Sequence, residues 1–96
     1  MASTKEYRDF ILERLQGNIT SRAMMGEYLL YRDGILFGGI YDNSLLVKIT
    51  GENKKYNMPE QLPYDGAKPM YMPEDVEDTE LLNKIIDDTC KSLKKK

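Results

Sequence analysis

Histidine and tryptophan are absent from this chain of 96 residues, and cysteine occurs once. Without histidine there is no histidine-based catalytic triad, no imidazole metal ligand and no side chain that ordinarily titrates near neutral pH. The lone thiol, Cys90, cannot form an internal disulfide, which favours a reducing compartment. The sequence therefore predicts no catalytic residue, no bound metal and no cofactor, and we expect the protein not to be an enzyme.

Long apolar runs are also missing. No stretch approaches the ~20 consecutive apolar residues that span a bilayer, and the start of the chain has no apolar segment of a secretory signal. Lys and Arg number 14 against 16 Asp and Glu, so the formal net charge of -2 creates no positive field that attracts nucleic acid or an anionic membrane. We expect a cytoplasmic protein that has no membrane partner and contacts DNA only indirectly, if at all.

The composition that remains is typical of one ordinary globular domain covering residues 1–96. Apolar residues make up 41% of the chain and charged residues 31%. A chain of this length buries about 60 to 65% of its unfolded surface without disulfides or metals. We expect a single domain with its own core.

The stretch 27–49 consists of three apolar runs separated by two turn dipeptides, Asp33-Gly34 and Asp42-Asn43. Both central residues of a tight hairpin turn need positive φ, which Gly, Asn and Asp tolerate best. This pattern predicts a three-stranded antiparallel meander. A first strand over 19–25, bent into the second at Gly26, precedes it, and a last short edge strand over 68–73 follows, with another short edge strand around 55–57.

The two turns fix a register in which directly opposed residues share a face of the sheet. One face then carries no charge and is predicted to form the core under the helices. Its members are Leu29, Tyr31, Leu36, Gly38, Ile40, Leu45, Val47 and Ile49.

The opposite face is predicted to be an apolar patch larger than a monomer usually exposes, and it is the candidate interaction face. Either another segment of the chain or a second subunit covers it, or a functional partner does. Its candidate residues are Tyr28, Leu30, Arg32, Ile35, Phe37, Tyr41, Leu46 and Lys48.

Helical patterns lie at both ends of the chain. Ser3 to Glu6 fits a capping box, followed by apolar residues at helical spacing up to a stop at Gly17. An acidic run over 74–78 precedes a second helix, whose lysine-rich end, 91–96, is predicted to fray as a basic tail. The fold class is thus α+β with two layers, an antiparallel meander sheet with an N-terminal and a C-terminal helix packed on one face.

Two further motifs have competing interpretations. The Met24-Met25 pair is interpreted as core filling, with a pliant binding surface as the alternative. Gly38-Gly39 lies within a strand rather than at a strand-to-helix turn, which excludes a phosphate-binding loop. Gly38 is expected to admit a helix backbone, and Gly39 to make room beside Tyr28 and Leu46.

The sequence resembles the N-terminal domain of the TfoX (Sxy) family, bacterial regulators of natural competence. The resemblance covers most of the chain in the right order. It rests on four segments: 22–31 (RAMMGEYLLY), 33–40 with Asp33-Gly34 and Leu36-Phe37-Gly38-Gly39-Ile40, 42–48 (DNSLLVK) and 68–76 (KPMYMPEDV).

The resemblance implies a two-layer α+β domain that works as a regulatory or protein-interaction module. Family members act as coactivators with the cyclic-AMP receptor protein at competence promoters, and full-length members carry a second, helical domain that this sequence lacks. The expected partner is a protein or a second copy of the chain as a homodimer. The alternative function is weak nucleic-acid binding, with the candidate residues Arg22, Arg32, Lys48, Lys54 and Lys55.

Overall fold

A computed structural model of the chain, which describes residues 3–94, contains two helices and one six-stranded antiparallel sheet. The strand order is β1-β2-β3-β4-β6-β5. This confirms the predicted α+β class. The elements are α1 (Lys5–Leu12), β1 (Ile19–Met24), β2 (Glu27–Arg32), β3 (Ile35–Tyr41), β4 (Ser44–Val47), a 3-10 turn (Lys54–Tyr56), β5 (Glu60–Gln61), β6 (Met70–Tyr71) and α2 (Thr79–Lys94).

The two predicted hairpin turns are present. Asp33 and Gly34 have φ values of 51° and 80°, and Asp42 and Asn43 have φ values of 51° and 55°. The register predicted next to each turn is also confirmed, with Tyr31 opposite Leu36 and Ile40 opposite Leu45. Local turn chemistry therefore determined where β2 ends, where β3 begins and ends, where β4 begins, and which residues pair next to each turn.

Farther from the first turn, a β-bulge shifts the pairing of β2 with β3. Leu30 lies opposite Gly38 rather than Phe37, so Phe37 is an extra residue between the pairs Tyr31–Leu36 and Leu30–Gly38. The side chains of a strand alternate between the two faces of the sheet. One extra residue in β3 therefore reverses which face each β2 residue occupies on the far side of the bulge. The predicted single-face register of β2 is wrong for this reason.

The exchange changes which residues form the core. Leu30 and Phe37 are 0% exposed and belong to the cluster under the helices, not to the opposite face. Leu29 and Leu36, predicted for the core, instead line a groove on the face away from the helices. The prediction was correct for Ile40, Leu45 and Val47, which are buried in the helix-side core.

Gly38 has a different role from the predicted one, whereas Gly39 lies beside Tyr28 and opposite Leu46 as predicted. A Cβ atom on Gly38 would lie 2.1 Å from the Leu46 carbonyl oxygen, and one on Gly39 would lie 2.6 Å from the Tyr28 carbonyl oxygen. Both atoms belong to the backbone of neighbouring strands, so it is not a helix that approaches Gly38. Side chains at these positions are excluded because the bulge brings three strand backbones close together.

Both helices cover the same face of the sheet. Ile11 of α1 and Leu82, Ile85 and Ile86 of α2 are buried in one cluster with the β3 and β4 residues. Asn83 links α2 to the segment that follows α1. Its side-chain amide accepts from the Gln16 N–H at 2.8 Å and donates to the Arg14 carbonyl at 2.8 Å.

The helix ends differ from the predicted ones. Thr4, not Ser3, caps α1 by accepting from the Tyr7 N–H at 3.1 Å. The helix ends at Leu12, before Gly17. At the other end of the chain α2 is helical as far as Lys94, so the predicted frayed tail is not observed over 91–94, and residues 95 and 96 lie outside the described residues.

The segment between β4 and α2 also differs from its prediction. Residues 54–56 form a 3-10 turn rather than an edge strand. Strand β6 lies between β4 and β5, so the edge of the sheet is β5. The two residues of β5 pair with β6, Glu60 with Tyr71 and Gln61 with Met70. The chain between β5 and β6 then folds over the sheet face that the helices leave open.

Candidate interaction sites

The eight residues of the candidate interaction face do not share one face of the sheet. Leu30 and Phe37 are enclosed in the helix-side core, and Tyr28 packs against that core beneath the Arg8 guanidinium, 5.2 Å from its ring centroid. Arg32 forms an ion pair with Asp87 of α2, and Ile35 lies opposite Arg32. These five residues are therefore held on the helix side by the fold itself.

The other three candidates lie on the open side of the sheet, where the loop between β5 and β6 covers much of the surface. Leu46 is buried, and Tyr41 is buried with its ring 6.4 Å from the ring of Tyr64 in the loop. Lys48 lines the groove between the sheet and the loop, as does Pro63. The predicted apolar face is thus covered mainly by the chain, which was one of the alternatives left open by the sequence.

A different surface has no strand partner within residues 3–94, the outer edge of β1. Among these residues β1 pairs with β2 alone, in an unbroken register from Ile19 opposite Arg32 to Met24 opposite Glu27. It contains no proline and no bulge, and Arg22 is its only charged residue. Edge strands of soluble proteins usually carry such protection, because unpaired backbone groups bind any extended chain.

The ladder shows which amides of β1 point outward. The Asn18 carbonyl accepts from the Asp33 N–H at 3.0 Å, which makes this pair hydrogen-bonded, and hydrogen-bonded pairs alternate along an antiparallel ladder. The N–H and C=O groups of Ser21 and Ala23 therefore face away from β2. Within the described residues these two amides have no backbone partner.

The end of this edge is a tight turn with an exposed apolar side chain. Met25 and Gly26 have φ values of 50° and 85°, and the Met25 side chain is 96% exposed. Met24 before it is also exposed, so the prediction of core filling for this pair is wrong. The two residues between Met24 and Glu27 are the signal for a hairpin turn that sequence reasoning interpreted only as a bend.

The turn is fastened to the rest of the fold by polar contacts. The Gly26 carbonyl accepts from the Ser3 N–H at 2.9 Å, and the Ser3 hydroxyl donates to the Glu27 carboxylate at 2.6 Å. The same hydroxyl accepts from the Asn43 N–H at 3.0 Å. These contacts hold the Met25 turn beside the Asp42-Asn43 turn. The backbone that carries the exposed Met25 side chain is therefore held in place.

The cationic residues of the nucleic-acid alternative do not converge. Arg32 pairs with Asp87, and Lys55 pairs with Asp88 at 3.1 Å, both on α2. Arg22 lies on β1 and Lys48 at the groove on the open side, so these four cations do not form a continuous basic stripe. A duplex-binding surface needs several cations along one track.

The part of the chain that the structure describes, residues 3–94, contains no group of three or more His, Cys, Asp or Glu side chains placed to hold a metal ion. Burial raises the pKa of the Cys90 thiol, and this thiol is enclosed by the core cluster. A raised pKa lowers the thiolate fraction that nucleophilic chemistry needs. Over the same residues, neither helix has the length and apolar character to cross a membrane.

The chain is similar in sequence to known proteins. The family model described as "TfoX N-terminal domain" matches residues 11–93, nearly the whole chain. An "Uncharacterized 12.7 kDa protein in trpE 5'region" from Spirochaeta aurantia is 31% identical over 80 residues, which cover 79% of this chain and 70% of that protein.

Proposed function

This chain belongs to the TfoX N-terminal domain family of competence-related regulatory modules, and we propose that it acts without catalysis, by docking a protein partner along β1. The partner supplies an extended segment that continues the sheet past its open edge. Any contact with DNA is then made through that partner. The single cysteine favours the cytoplasm as the place of action.

The observation that carries the proposal is the unprotected edge. Strand β1 has six residues, whereas β5 at the opposite edge has two. Strand addition obtains its affinity from main-chain hydrogen bonds, and the outward groups of Ser21 and Ala23 are placed for them. Side chains on alternate positions then give specificity.

The exposed methionines support the same surface. Met24 and Met25 lie at the end of β1, and unbranched thioether side chains adapt to partners of different shape. An exposed Met at positive φ is an unusual choice, since Asn, Asp and Gly fill this position at lower conformational cost. Contact with a partner explains why an apolar side chain stands at the tip of the turn.

The test is a proline on the free edge. Ala23→Pro removes an outward N–H and leaves the hydrogen bonds between β1 and β2 in place, because proline is tolerated on edge strands where its nitrogen faces solvent. The matched control is Thr79→Pro at the first position of α2, where the helix leaves the N–H without an intrahelical partner. Asp78 already caps this helix by accepting from the Leu81 N–H at 3.1 Å.

Both variants are compared with the original chain as baits in lysate of the source organism, with quantitative mass spectrometry of the captured proteins, and by light scattering over a concentration series. We expect a defined set of partners, or the dimer mass, to be lost with Ala23→Pro and kept with Thr79→Pro. Equal capture by all three baits, together with an unchanged solution mass, contradicts docking at β1.

A further inference from the structure

The open side of the sheet holds a groove of about 670 Å³ between β2, β3 and β4 on one side and the loop before β6 on the other. This volume is within the ~300–1,000 Å³ range of small-molecule sites. Its floor is apolar, formed by Leu29, Leu36 and Ile49, and Leu93 near the end of α2 closes one side. Met70 and the loop residues Pro63, Ala67 and Pro69 form the opposite wall.

The charged groups that line the groove are all of one sign. Lys48 and Lys68 line it, and no aspartate or glutamate does, although acidic residues outnumber basic ones over the whole chain. Within the described residues neither lysine forms an ion pair. The charged residues of the groove lining are therefore both cationic, and its other lining residues carry no charge.

The Tyr41–Tyr64 pair separates this groove from a smaller cavity of opposite character. The smaller cavity, of about 320 Å³, is lined by Glu27, Asp42 and Asp65 and shares the two tyrosines with the groove. An anion is therefore attracted to the groove and repelled by the neighbouring cavity. Charge complementarity selects both the sign of the ligand and the side of the tyrosine pair on which it binds.

We propose that the groove binds a small apolar anion, a molecule with an aliphatic or aromatic body and one carboxylate, whose body lies on Leu29 and Leu36 and whose carboxylate faces Lys48 and Lys68. Tyr41 and Tyr64 donate hydroxyl hydrogens at the same mouth. Burial first, and then the nearby Tyr64, Glu27 and Tyr31, raise the pKa of Tyr41, so its phenol stays protonated as a donor at neutral pH. The site is on the open face and does not use the β1 edge.

The probe is decanoate, with protonated decylamine as the matched ligand of opposite charge. Titrations of the whole chain are followed by nuclear magnetic resonance, on the amides of Leu29, Leu36 and Met70 and on control amides in α1. We expect saturable shifts at the three groove residues and tighter binding of decanoate than of decylammonium. No saturable binding, equal binding of both amphiphiles, or shifts centred on other surfaces would overturn the proposal.

Two sets of variants separate the charge from the cavity. The double variant Lys48→Gln, Lys68→Gln removes both positive charges and keeps a flexible polar side chain at each position. We expect it to weaken decanoate binding about tenfold while decylammonium binding does not weaken. Ala67→Trp fills the groove and is expected to abolish binding of both ligands. Decanoate affinity that is unchanged in the double variant, or unchanged by Ala67→Trp, excludes this site.

The result is independent of partner docking. Ala23→Pro alters the far edge of the sheet and is expected to bind decanoate as the original chain does. Failure of the groove titration with retained partner capture removes only the ligand site, and the reverse result removes only the docking proposal.

Discussion

The two faces of this sheet are closed in different ways. On the helix side Leu30, Phe37, Ile40 and Val47 are 0% exposed beneath α1 and α2. On the open side an irregular loop covers Tyr41 and Leu46 but leaves a groove, and its own Leu62 and Tyr64 remain 52% and 61% exposed. One sheet therefore has a close-packed face and a loosely covered face.

The difference between the two faces suggests that stability and binding depend on different parts of the molecule. A helix presents a continuous apolar stripe that fills the surface of a sheet, whereas a loop with prolines and glycine cannot present side chains at a regular spacing. The helix side should then supply most of the free energy of folding. The open side and the β1 edge should tolerate substitution and carry contacts with other molecules.

The largest expected effect comes from truncating Phe37 on the helix side. Phe37→Ala should lower the free energy of unfolding by about 3–5 kcal/mol, because a fully buried ring leaves a cavity. Leu36→Ala, one residue away but lining the open groove, should cost much less. Chemical denaturation of both variants measures the contrast, and equal losses would show that the two faces do not differ as described.

The next effect concerns a buried polar junction that joins the 3-10 turn region to α2. The Asn53 side chain accepts from the Thr50 N–H at 3.0 Å and donates to the Lys48 carbonyl and the Thr89 hydroxyl, each at 2.8 Å. Asn53→Ala removes the side-chain partner of the Thr50 N–H and of the Lys48 carbonyl in a site that is 0% exposed, so we expect a loss of about 1–3 kcal/mol.

The control for this prediction is Asn18→Ala, at an exposed asparagine, which should change stability by less than about 0.5 kcal/mol. Thermal unfolding of the two alanine variants gives the comparison. Equal stability of Asn53→Ala and the original chain would show that this junction does not stabilise the helix side.

A smaller effect depends on pH and on the Tyr56 hydroxyl, which donates to Asp88 of α2 at 2.6 Å. Burial, followed by this hydrogen bond, raises the pKa of Tyr56 to about 12, and the hydrogen bond from Tyr56 is the main cause that lowers the pKa of Asp88. The raised pKa of Tyr56 contributes stability that is fully present below pH 10. This contribution is lost as pH rises from about 10 to 12. The lowered pKa of Asp88 contributes stability that is present when the pH is above 3.8, the usual carboxyl pKa. This contribution is lost as pH falls below that value.

Tyr56→Phe should therefore reduce stability at neutral pH by about 1 kcal/mol, since the pair is partly exposed to solvent. It should also flatten both the acid and the alkaline limb of the stability profile. Lys55 and Lys91 still hold down the pKa of Asp88, and Tyr7 and Tyr41 also have raised pKa values, so neither limb vanishes. Denaturation from pH 2 to 12 is the measurement; identical profiles would contradict the assigned contact.

The smallest expected effect is on the open side. Tyr64→Ala removes the ring contact with Tyr41 and should cost only about 0.5–1 kcal/mol, because Tyr64 is mostly exposed. Hydrogen exchange should nevertheless become faster at Ala67, whose N–H donates to the Tyr64 carbonyl at 3.2 Å. Tyr64→Phe keeps the ring and serves as control. A loss as large as that of Phe37→Ala would mean that the loop is part of the core.

Turn chemistry and the patterns at the two chain ends were sufficient to predict the strands β2, β3 and β4 and the presence of two helices. The candidate interaction face was not predictable in the same way, because it required every strand to keep its alternation across the sheet. Phe37 breaks that alternation. Gly38-Gly39 was the local sign of the irregularity, yet two glycines do not tell which residue is the extra one.

The binding surfaces depend even more on the complete fold. Nothing in the sequence of β1 states that it lies at an edge, because edge position follows from the order of all strands. Lys68 and Lys48 are 20 positions apart in sequence and become neighbours of one groove only when the loop folds back over the sheet. The sequence interpretation placed Met25 in the core, with a binding surface as the alternative, because its exposure depends on the turn that carries it.

The sequence by itself determined the family and the α+β class. It also placed the two helices and the hairpin turns at Asp33-Gly34 and Asp42-Asn43, since turn and helix signals depend on neighbours within a few positions. Only the tertiary structure decided which side of the sheet each β2 residue occupies, what covers the open face and which edge stays unpaired. The physical reason is that strand alternation has a period of two, so the single bulged residue Phe37, next to Gly38 and Gly39, exchanges the faces beyond it.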